Sequence, residues 1–219
     1  MSYQWDILGE EGLQFFGKMS ASISHEIKNV LAVVNENAGL IQDLIYMHEK
    51  GMPIDPEQLK SVSQMITKQV KRADTIMKNM SKFAHSTDQL IKTESVSVND
   101  ILDVVTNLAN RFADMREITL EKIPFDEPIK IKTNPFFLEN LIWLCFDFAM
   151  DATGPERTVR LLAKEIDNSA QITFSQLGSL PVMPLETFHG KRVEALLSAL
   201  QGDITVDTQA GTLSISLPV

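Results

Sequence analysis

The sequence has a single cysteine, Cys145, among its 219 residues. One cysteine excludes an internal disulfide framework and a zinc site built from cysteines, and it is typical of a reducing compartment. The first residues lack a basic segment followed by an apolar stretch, so no signal peptide is expected. No run of 18 apolar residues occurs. A membrane partner is therefore not expected, and a cytoplasmic location is predicted.

Positive charge is also scarce. The chain has 20 Lys and Arg against 29 Asp and Glu, a net charge of -9 at pH 7. Binding to a phosphate backbone requires clustered cations, so nucleic acid is not expected as a partner. Hydrophobic residues make up 44% of the chain, which is enough to build the core of one or two domains.

Proline is absent between residues 12 and 50, and this stretch has helical periodicity. Prolines then break the pattern in GMPIDPEQL, where Asp55 is the expected N-cap before Pro56. A second helical run follows. In each run, apolar or small residues recur every three or four positions and form a seam along one side of the helix. The seam of the first run is Phe16, Ser20, Ile23, Ile27, Val30, Val34, Ile41 and Leu44. The seam of the second run is Leu59, Val62, Ile66, Val70, Ala73, Met77, Met80 and Ala84. Residues 1–91 are thus predicted to form a long helical hairpin that dimerises into a four-helix bundle.

The pattern changes in the second part of the chain, residues 92–219. TESVSVNDIL predicts a short strand and then a helix capped by Asn99 or Asp100. Further strands are predicted at ITLEKI and IKIKT, around the turn PFDEP, and at TVRLLAKEI, AQITFSQL, DITVDT and TLSISLPV. Helices are predicted at FFLENLIWLCFDFAMDA, where Asn134 precedes Pro135 as the expected cap, and at KRVEALLSAL. The predicted fold class is α+β, a helical hairpin followed by a small α/β sandwich.

His25 lies in the first helix, in the stretch SASISHEIKNVLA. Each residue turns an α-helix by about 100°, so His25 is about 200° away from Ile23 and Ile27 and is predicted to project from the outer face. Glu26 follows directly, and Asn29 lies one turn further along. A solvated helix face is one interpretation of these polar residues. A metal site is not expected, because no second histidine lies four residues from His25.

The motif S-x-S-H-E-I-K-N resembles the H-box of two-component histidine kinases, and the order of hairpin and α+β domain is similar to theirs. The resemblance implies that His25 accepts a phosphoryl group and that Asn29 takes the place associated with hydrolysis of phospho-aspartate. Glu26 is expected to hold one ring nitrogen of the imidazole and so raise the nucleophilicity of the other. The proline usual in the family is replaced by Val30, so its helix kink is expected to be absent or weaker.

The second domain resembles the ATP-binding domain of the same family in outline only. Leu144 and Phe148 stand where paired asparagines would help to hold Mg²⁺, and the nearby Asp147 and Asp151 are expected to be solvated. The glycine-rich turn that reads adenine has no acidic residue here, and Gly190 alone is a weak phosphate signal. The sequence therefore predicts a degenerate ATPase-like domain with no cofactor.

Histidine phosphotransfer without ATP is the leading functional hypothesis, with the receiver domain of a response regulator as partner and His25, Glu26 and Asn29 as the site. A helical bundle with a degenerate kinase-like second domain is similar to the sporulation-type phosphotransferases. The alternatives are a non-catalytic docking protein that sequesters a response regulator or pairs with a cognate histidine kinase, a response-regulator phosphatase, and lastly an autophosphorylating kinase. The chain is expected to be either a complete small protein or a piece of a longer one.

Overall fold

The computed structural model describes residues 2–88, 92–124, 128–180, 188 and 190–219. Five helices and seven strands occur in these residues. The helices are α1 (Ser2–Glu49), α2 (Pro56–His85), α3 (Val98–Met115), α4 (Pro135–Asp151) and α5 (Lys191–Leu200). The strands are β1 (Glu94–Ser97), β2 (Thr119–Lys122), β3 (Lys130–Thr133), β4 (Thr158–Ile166), β5 (Ser169–Ser175), β6 (Asp203–Asp207) and β7 (Thr212–Pro218).

The helical hairpin is present where the sequence predicts it. Asp55 caps α2 as expected, since its Oδ1 accepts a hydrogen bond of 2.9 Å from the amide of Glu57. Gly51 takes a positive φ of 88° in the connection, which suits a residue without a side chain. The first helix is longer than predicted: it begins at Ser2 and not near residue 12, because no proline interrupts the first turns.

The N-cap of α3 was predicted wrongly. Ser97 caps this helix, in place of Asn99 or Asp100, and its side chain accepts a hydrogen bond from the amide of Asp100 at 3.4 Å. Asp100 therefore occupies the first turn, where a carboxylate stabilises the positive end of the helix dipole. The last residue of β1 thus also starts the helix. The expected N-cap of α4, Asn134, is confirmed, because its Oδ1 accepts from the amide of Phe137 at 3.0 Å.

A mixed five-stranded sheet forms the second part of the chain, in the order β2-β4-β5-β7-β6. The β2–β4 pair is parallel and the other pairs are antiparallel. A separate antiparallel pair joins β1 to β3. Alternate residues of β5 and β7 are buried, so one face of the sheet carries the core. The predicted α+β class is confirmed. The middle of the expected PFDEP turn, residues 125–127, lies outside the described residues.

Helix α4 is buried on nearly all sides, because it packs against α3, α5 and the strands β4 and β5. Trp143 and Cys145 are core residues there. Burial raises the pKa of the Cys145 thiol well above its usual value, so the thiolate, the reactive form, is disfavoured.

The chain divides into two compact units, one of residues 18–82 and one of residues 1–17 with 83–219. An aromatic cluster belongs to the second unit: Phe15 lies 5.3 Å from Phe83 and 5.7 Å from Phe136, between ring centroids. Arg192 of α5 also binds the buried Glu11, with 3.0 Å between Nε and Oε2. The first turns of α1 and the end of α2 are thereby anchored to the α+β domain.

Candidate functional site

The imidazole of His25 is exposed on the surface of the helical unit. Ile23 and Val30 on the same helix are buried, so the outward projection predicted from the heptad pattern is confirmed. Asn29 is also exposed, one turn along from His25. The α-helix continues unbroken through Val30, where the family usually has proline. His25 is therefore open to a partner along a continuous helix.

The carboxylate of Glu26 faces the second helix of the hairpin. Its Oε2 lies 3.7 Å from Nη2 of Arg72, and the Glu26 side chain is only 18% exposed while that of Arg72 is 55% exposed. The ion pair with Arg72 directs the carboxylate toward α2. Sequence reasoning missed Arg72, because the two partners are far apart in sequence and no motif marks the arginine.

Apolar side chains stand at Leu144 and Phe148, the two positions where the resemblance to the family would place magnesium contacts. Phe148 stacks on Phe188 at 4.4 Å between centroids, and both residues are less than a tenth exposed. Leu144 is half-buried one turn earlier. None of these three side chains has an oxygen to offer to a metal ion. The residues present do not fit Mg-ATP at these positions.

The turn after β5 is also closed by apolar and backbone contacts. Leu177 is fully buried. A Cβ on Gly178 would lie 3.0 Å from the Cα of Gly154, so the two segments touch at their backbones. Gln176, with a positive φ of 71°, lies at a surface cavity of about 440 Å³ together with Gly154, Gly178 and the turn at residues 208–211.

The two aspartates near the end of α4 bind Arg116, the C-cap of α3. Its Nη2 lies 2.7 Å from Oδ1 of Asp147, and its Nη1 lies 3.5 Å from Oδ1 of Asp151. The expectation that both are merely solvated is therefore corrected. A guanidinium between the two carboxylates repels a second cation.

Within the described parts of the chain, no group of three or more His, Cys, Asp or Glu side chains is arranged to hold a metal ion. In the same residues, none of the helices is both long enough and apolar enough to cross a bilayer. Residues 181–187 and 189, which directly precede the weak phosphate signal at Gly190, lie outside the described residues.

No protein-family model matches the chain. Among curated proteins it is similar to the sensor histidine kinase ZraS of Salmonella typhimurium, with 26% identity over 156 residues, and to that of Salmonella typhi, with 27% over 159 residues. These matches cover 71% of this chain and 31% of each relative, so the chain spans about a third of the length of the curated relatives.

Among solved structures, the chain is similar to Acinetobacter baumannii histidine kinase AdeS, with 13% identity and a TM-score of 0.47, covering 89% of this chain and 97% of that one. Histidine kinase ThkA, solved in complex with response regulator protein TrrA, has 18% identity and a TM-score of 0.46, and the match covers 99% of this chain and 66% of that one. The sequence relationship confirms the resemblance to a two-component histidine kinase core, with a helical hairpin and an ATPase-like domain.

Proposed function

We propose that the chain is a histidine phosphotransfer protein in which His25 exchanges a phosphoryl group with an aspartate of a response-regulator receiver domain. The observation that carries the proposal is the exposed His25 at the centre of the H-box on an outward helix face. A lone pair of the imidazole attacks phosphorus, the bond between phosphorus and the aspartyl oxygen breaks, and the aspartate leaves as a carboxylate. Transfer in the other direction reverses these steps. The receiver supplies the Mg²⁺ that neutralises the charge.

A phosphotransfer assay tests the proposal. Receiver domains encoded in the same genome are each phosphorylated with a radiolabel and incubated with this chain. We expect the label to appear on the wild-type chain and on His48→Ala, which removes another exposed histidine of α1. The His25→Ala variant should remain unlabelled. Equal labelling of His25→Ala and the wild type would rule out His25 as the acceptor.

Independence from ATP is the second part of the proposal. It is supported by the Phe148–Phe188 stack and by buried Leu177, which place apolar side chains where the family has nucleotide contacts. Calorimetric titration with Mg-ATP should therefore give no binding heat. Saturable binding in the micromolar range typical of nucleotide sites would overturn this part.

The exposed amide of Asn29 favours a second candidate, a response-regulator phosphatase, because an amide one turn from His25 could orient a water toward phospho-aspartate. In the assay, label lost from the receiver without reaching this chain would identify this activity. Asn29→Ala should then preserve the label on the receiver. Tight binding with neither outcome would favour a docking protein, which could also pair with a cognate histidine kinase.

We also propose a homodimer formed through the helical hairpin, in the cytoplasm, with residues 1–91 and 92–219 as functional domains. The support for dimerisation is the incomplete burial of the α2 seam: Val70 is 56% exposed and Met77 is 55% exposed. A second hairpin would cover these side chains in a four-helix bundle.

A further inference from the structure

An apolar groove lies between the first turns of α1 and the start of α4. Its volume is about 620 Å³, within the range of about 300–1,000 Å³ that is typical of sites for small ligands. All of its lining residues belong to the same compact unit of the chain. We call it the aromatic groove, and its main members are Trp5, Gly9, Leu13, Phe16, Phe136 and Phe137.

The aromatic groove presents a large apolar surface. Trp5 is 47% exposed and Leu13 is 75% exposed. The ring of Phe137 lies 6.3 Å from that of Trp5 and 6.4 Å from that of Phe136, between centroids, so three rings form one wall. A Cβ at Gly9 would have no heavy atom within 4 Å, so the groove is open there. An apolar molecule that covers this surface gains the free energy of removing it from water.

The polar group inside the groove can only accept hydrogen bonds. Thr87 is the one polar side chain among the described lining residues, and its Oγ1 donates to the carbonyl oxygen of Ala84 at 2.7 Å. Because a hydroxyl has a single proton, Thr87 offers only lone pairs to a ligand. The next residue, Asp88, is already paired with His85, with 3.0 Å between Oδ2 and Nδ1. A ligand head that donates hydrogen bonds therefore suits this site.

The rim of the groove along α1 is negatively charged. Asp6 and Glu10 are both exposed. At about 100° per residue they lie about 20° and 60° around the helix from Leu13, on its side away from the ring wall. Residues 1–17 contain no Lys or Arg. The carboxylates attract a positive group and repel a negative one.

We propose that the aromatic groove binds a small hydrophobic cation, an amine whose apolar body lies against the ring wall and whose ammonium group is held by the acceptors around it. Aromatic rings also attract cations to their faces. A fatty acid or another apolar anion is a poorer match, because its charge would lie beside Asp6 and Glu10. A second copy of the chain is poorer for the same reason, since its α1 would bring the same carboxylates. The proposal does not depend on phosphotransfer by His25.

Titration with 4-phenylbutylamine, which is protonated at pH 7, tests the proposal by NMR. The chain has two tryptophans, and each gives one indole N–H signal: Trp5 lines the groove, whereas Trp143 is buried in the core. We expect the Trp5 signal to shift saturably, with a Kd of about 1 mM or lower, while the Trp143 signal stays in place. The matched anion 4-phenylbutyrate should bind at least about fivefold more weakly at low salt.

Two pairs of variants locate the site. Gly9→Leu fills the open part of the groove and should weaken amine binding about tenfold or more. Gly17→Leu changes another exposed glycine of α1 that has open space around it and does not line the groove, so it should change the Kd less than about twofold. An unshifted Trp143 signal in Gly9→Leu verifies that the core is intact.

The second pair tests the charge. Asp6→Asn with Glu10→Gln should reduce the preference for the amine over the carboxylate, and Asp43→Asn with Glu49→Gln, at exposed sites further along α1, should preserve it. The proposal is overturned by the absence of a saturable Trp5 shift, by an unchanged Kd in Gly9→Leu, or by equal affinities for amine and carboxylate. A Trp5 signal that changes with protein concentration but not with the amine would identify a contact between copies instead.

Discussion

At the scale of single residues, Glu26 links the first helix of the hairpin, which also carries His25, to the second helix. Its carboxylate is mostly buried and lies 3.7 Å from Arg72, while its neighbour His25 is exposed. A salt bridge to a guanidinium restricts the positions that a carboxylate takes. The carboxylate of Glu26 is thus directed toward α2, and its role as a positioning residue for His25 stays a prediction.

The first prediction concerns Glu26→Gln, which removes the charge with little change in shape. We expect this variant to lower the rate of labelling of His25 by about tenfold to a hundredfold, since a positioned carboxylate contributes to the reactivity of the imidazole. Single-turnover transfer from a phosphorylated receiver measures the rate across a range of pH. Glu36→Gln, an exposed site on the same helix, is the matched control. An unchanged rate and pH profile for Glu26→Gln would exclude the positioning role.

A second residue of interest is Glu139 on α4, a buried carboxyl group that the sequence did not single out. Burial raises its pKa from 4.5 to about 8, against a smaller lowering by the hydrogen bond with Ser86. The Ser86 hydroxyl lies 2.7 Å from both Glu139 Oε2 and the carbonyl oxygen of Phe83. Because a hydroxyl has one proton, a neutral Glu139 can donate to Ser86 while Ser86 donates to Phe83. This pair of hydrogen bonds joins the end of α2 to α4.

The second prediction follows from this raised pKa. The folded state binds the Glu139 proton more tightly than the unfolded state does. Below about pH 4.5 the carboxyl group is protonated in both states, so Glu139 does not reduce the free energy of unfolding there. Between about pH 4.5 and pH 8 the free energy of unfolding should fall as pH rises, by up to about 1.4 kcal/mol per pH unit, and then level off. Glu139→Gln should flatten this slope in urea unfolding measured at several pH values. An unchanged slope would contradict the assignment.

At the scale of helices, the two glycines of the first turns of α1 have different surroundings. A Cβ at Gly9 would have no heavy atom within 4 Å, whereas a Cβ at Gly12 would lie 2.9 Å from Cε1 of Phe136. That ring is itself packed in the aromatic cluster, 5.7 Å from Phe15 and 6.2 Å from Phe83. Gly12 therefore allows α1 to approach α4 closely, and Gly9 has no such role.

The third prediction uses these glycines as a matched pair. Gly9→Ala should stabilise the protein by about 0.5–1 kcal/mol, because alanine loses less backbone entropy in a helix. Gly12→Ala has the same favourable effect on backbone entropy, but its methyl group must displace the Phe136 ring, at a cost of about 1–3 kcal/mol. The net effect of Gly12→Ala should therefore be neutral or destabilising. Urea unfolding of both variants measures the difference. Equal stabilisation would show that the cluster adapts freely to the added methyl group.

A helix or strand is easier to predict from the sequence when the residues that determine it lie close together in the chain. Periodicity and proline breaks identified the helical hairpin, and Asn134 marked the start of α4, because these signals act over a few residues. The end of β1 and the cap of α3 share Ser97, and a residue with two roles is hard to assign from pattern alone. The aromatic cluster was missed because its rings come from three separate helices.

The same distinction applies to the candidate site. The outward direction of His25 follows from helical rotation, which the sequence contains. The contact of Glu26 with Arg72 depends on the register between the two arms of the hairpin, which spacing does not determine. The Phe148–Phe188 stack likewise joins α4 to a residue in the connection before α5. Sequence reasoning predicted the loss of the asparagines at Leu144 and Phe148, but not that a ring pair would occupy that space.

At the scale of the whole molecule, the two faces of α2 differ in polarity. One face carries apolar side chains that remain partly exposed in the single chain, among them Val70 and Met77. The other face carries exposed lysines, among them Lys68 and Lys71. Fully burying a large apolar side chain is worth about 1.5–3 kcal/mol, so a second hairpin against the seam would gain several such contributions. The lysines, on the far side of the helix, would stay in contact with solvent in that assembly.

The last prediction tests this arrangement in the assembled protein. Val70→Glu with Met77→Glu places charges in the seam and should convert a dimer into monomers, because carboxylates buried between hairpins would lack partners. Gln64→Glu with Thr75→Glu, on the outer face of the same helix, adds equal charge and should leave the dimer intact. Analytical ultracentrifugation gives the mass of each form. A monomeric wild type, or a seam variant that stays dimeric, would mean that the α2 seam is not the interface between chains.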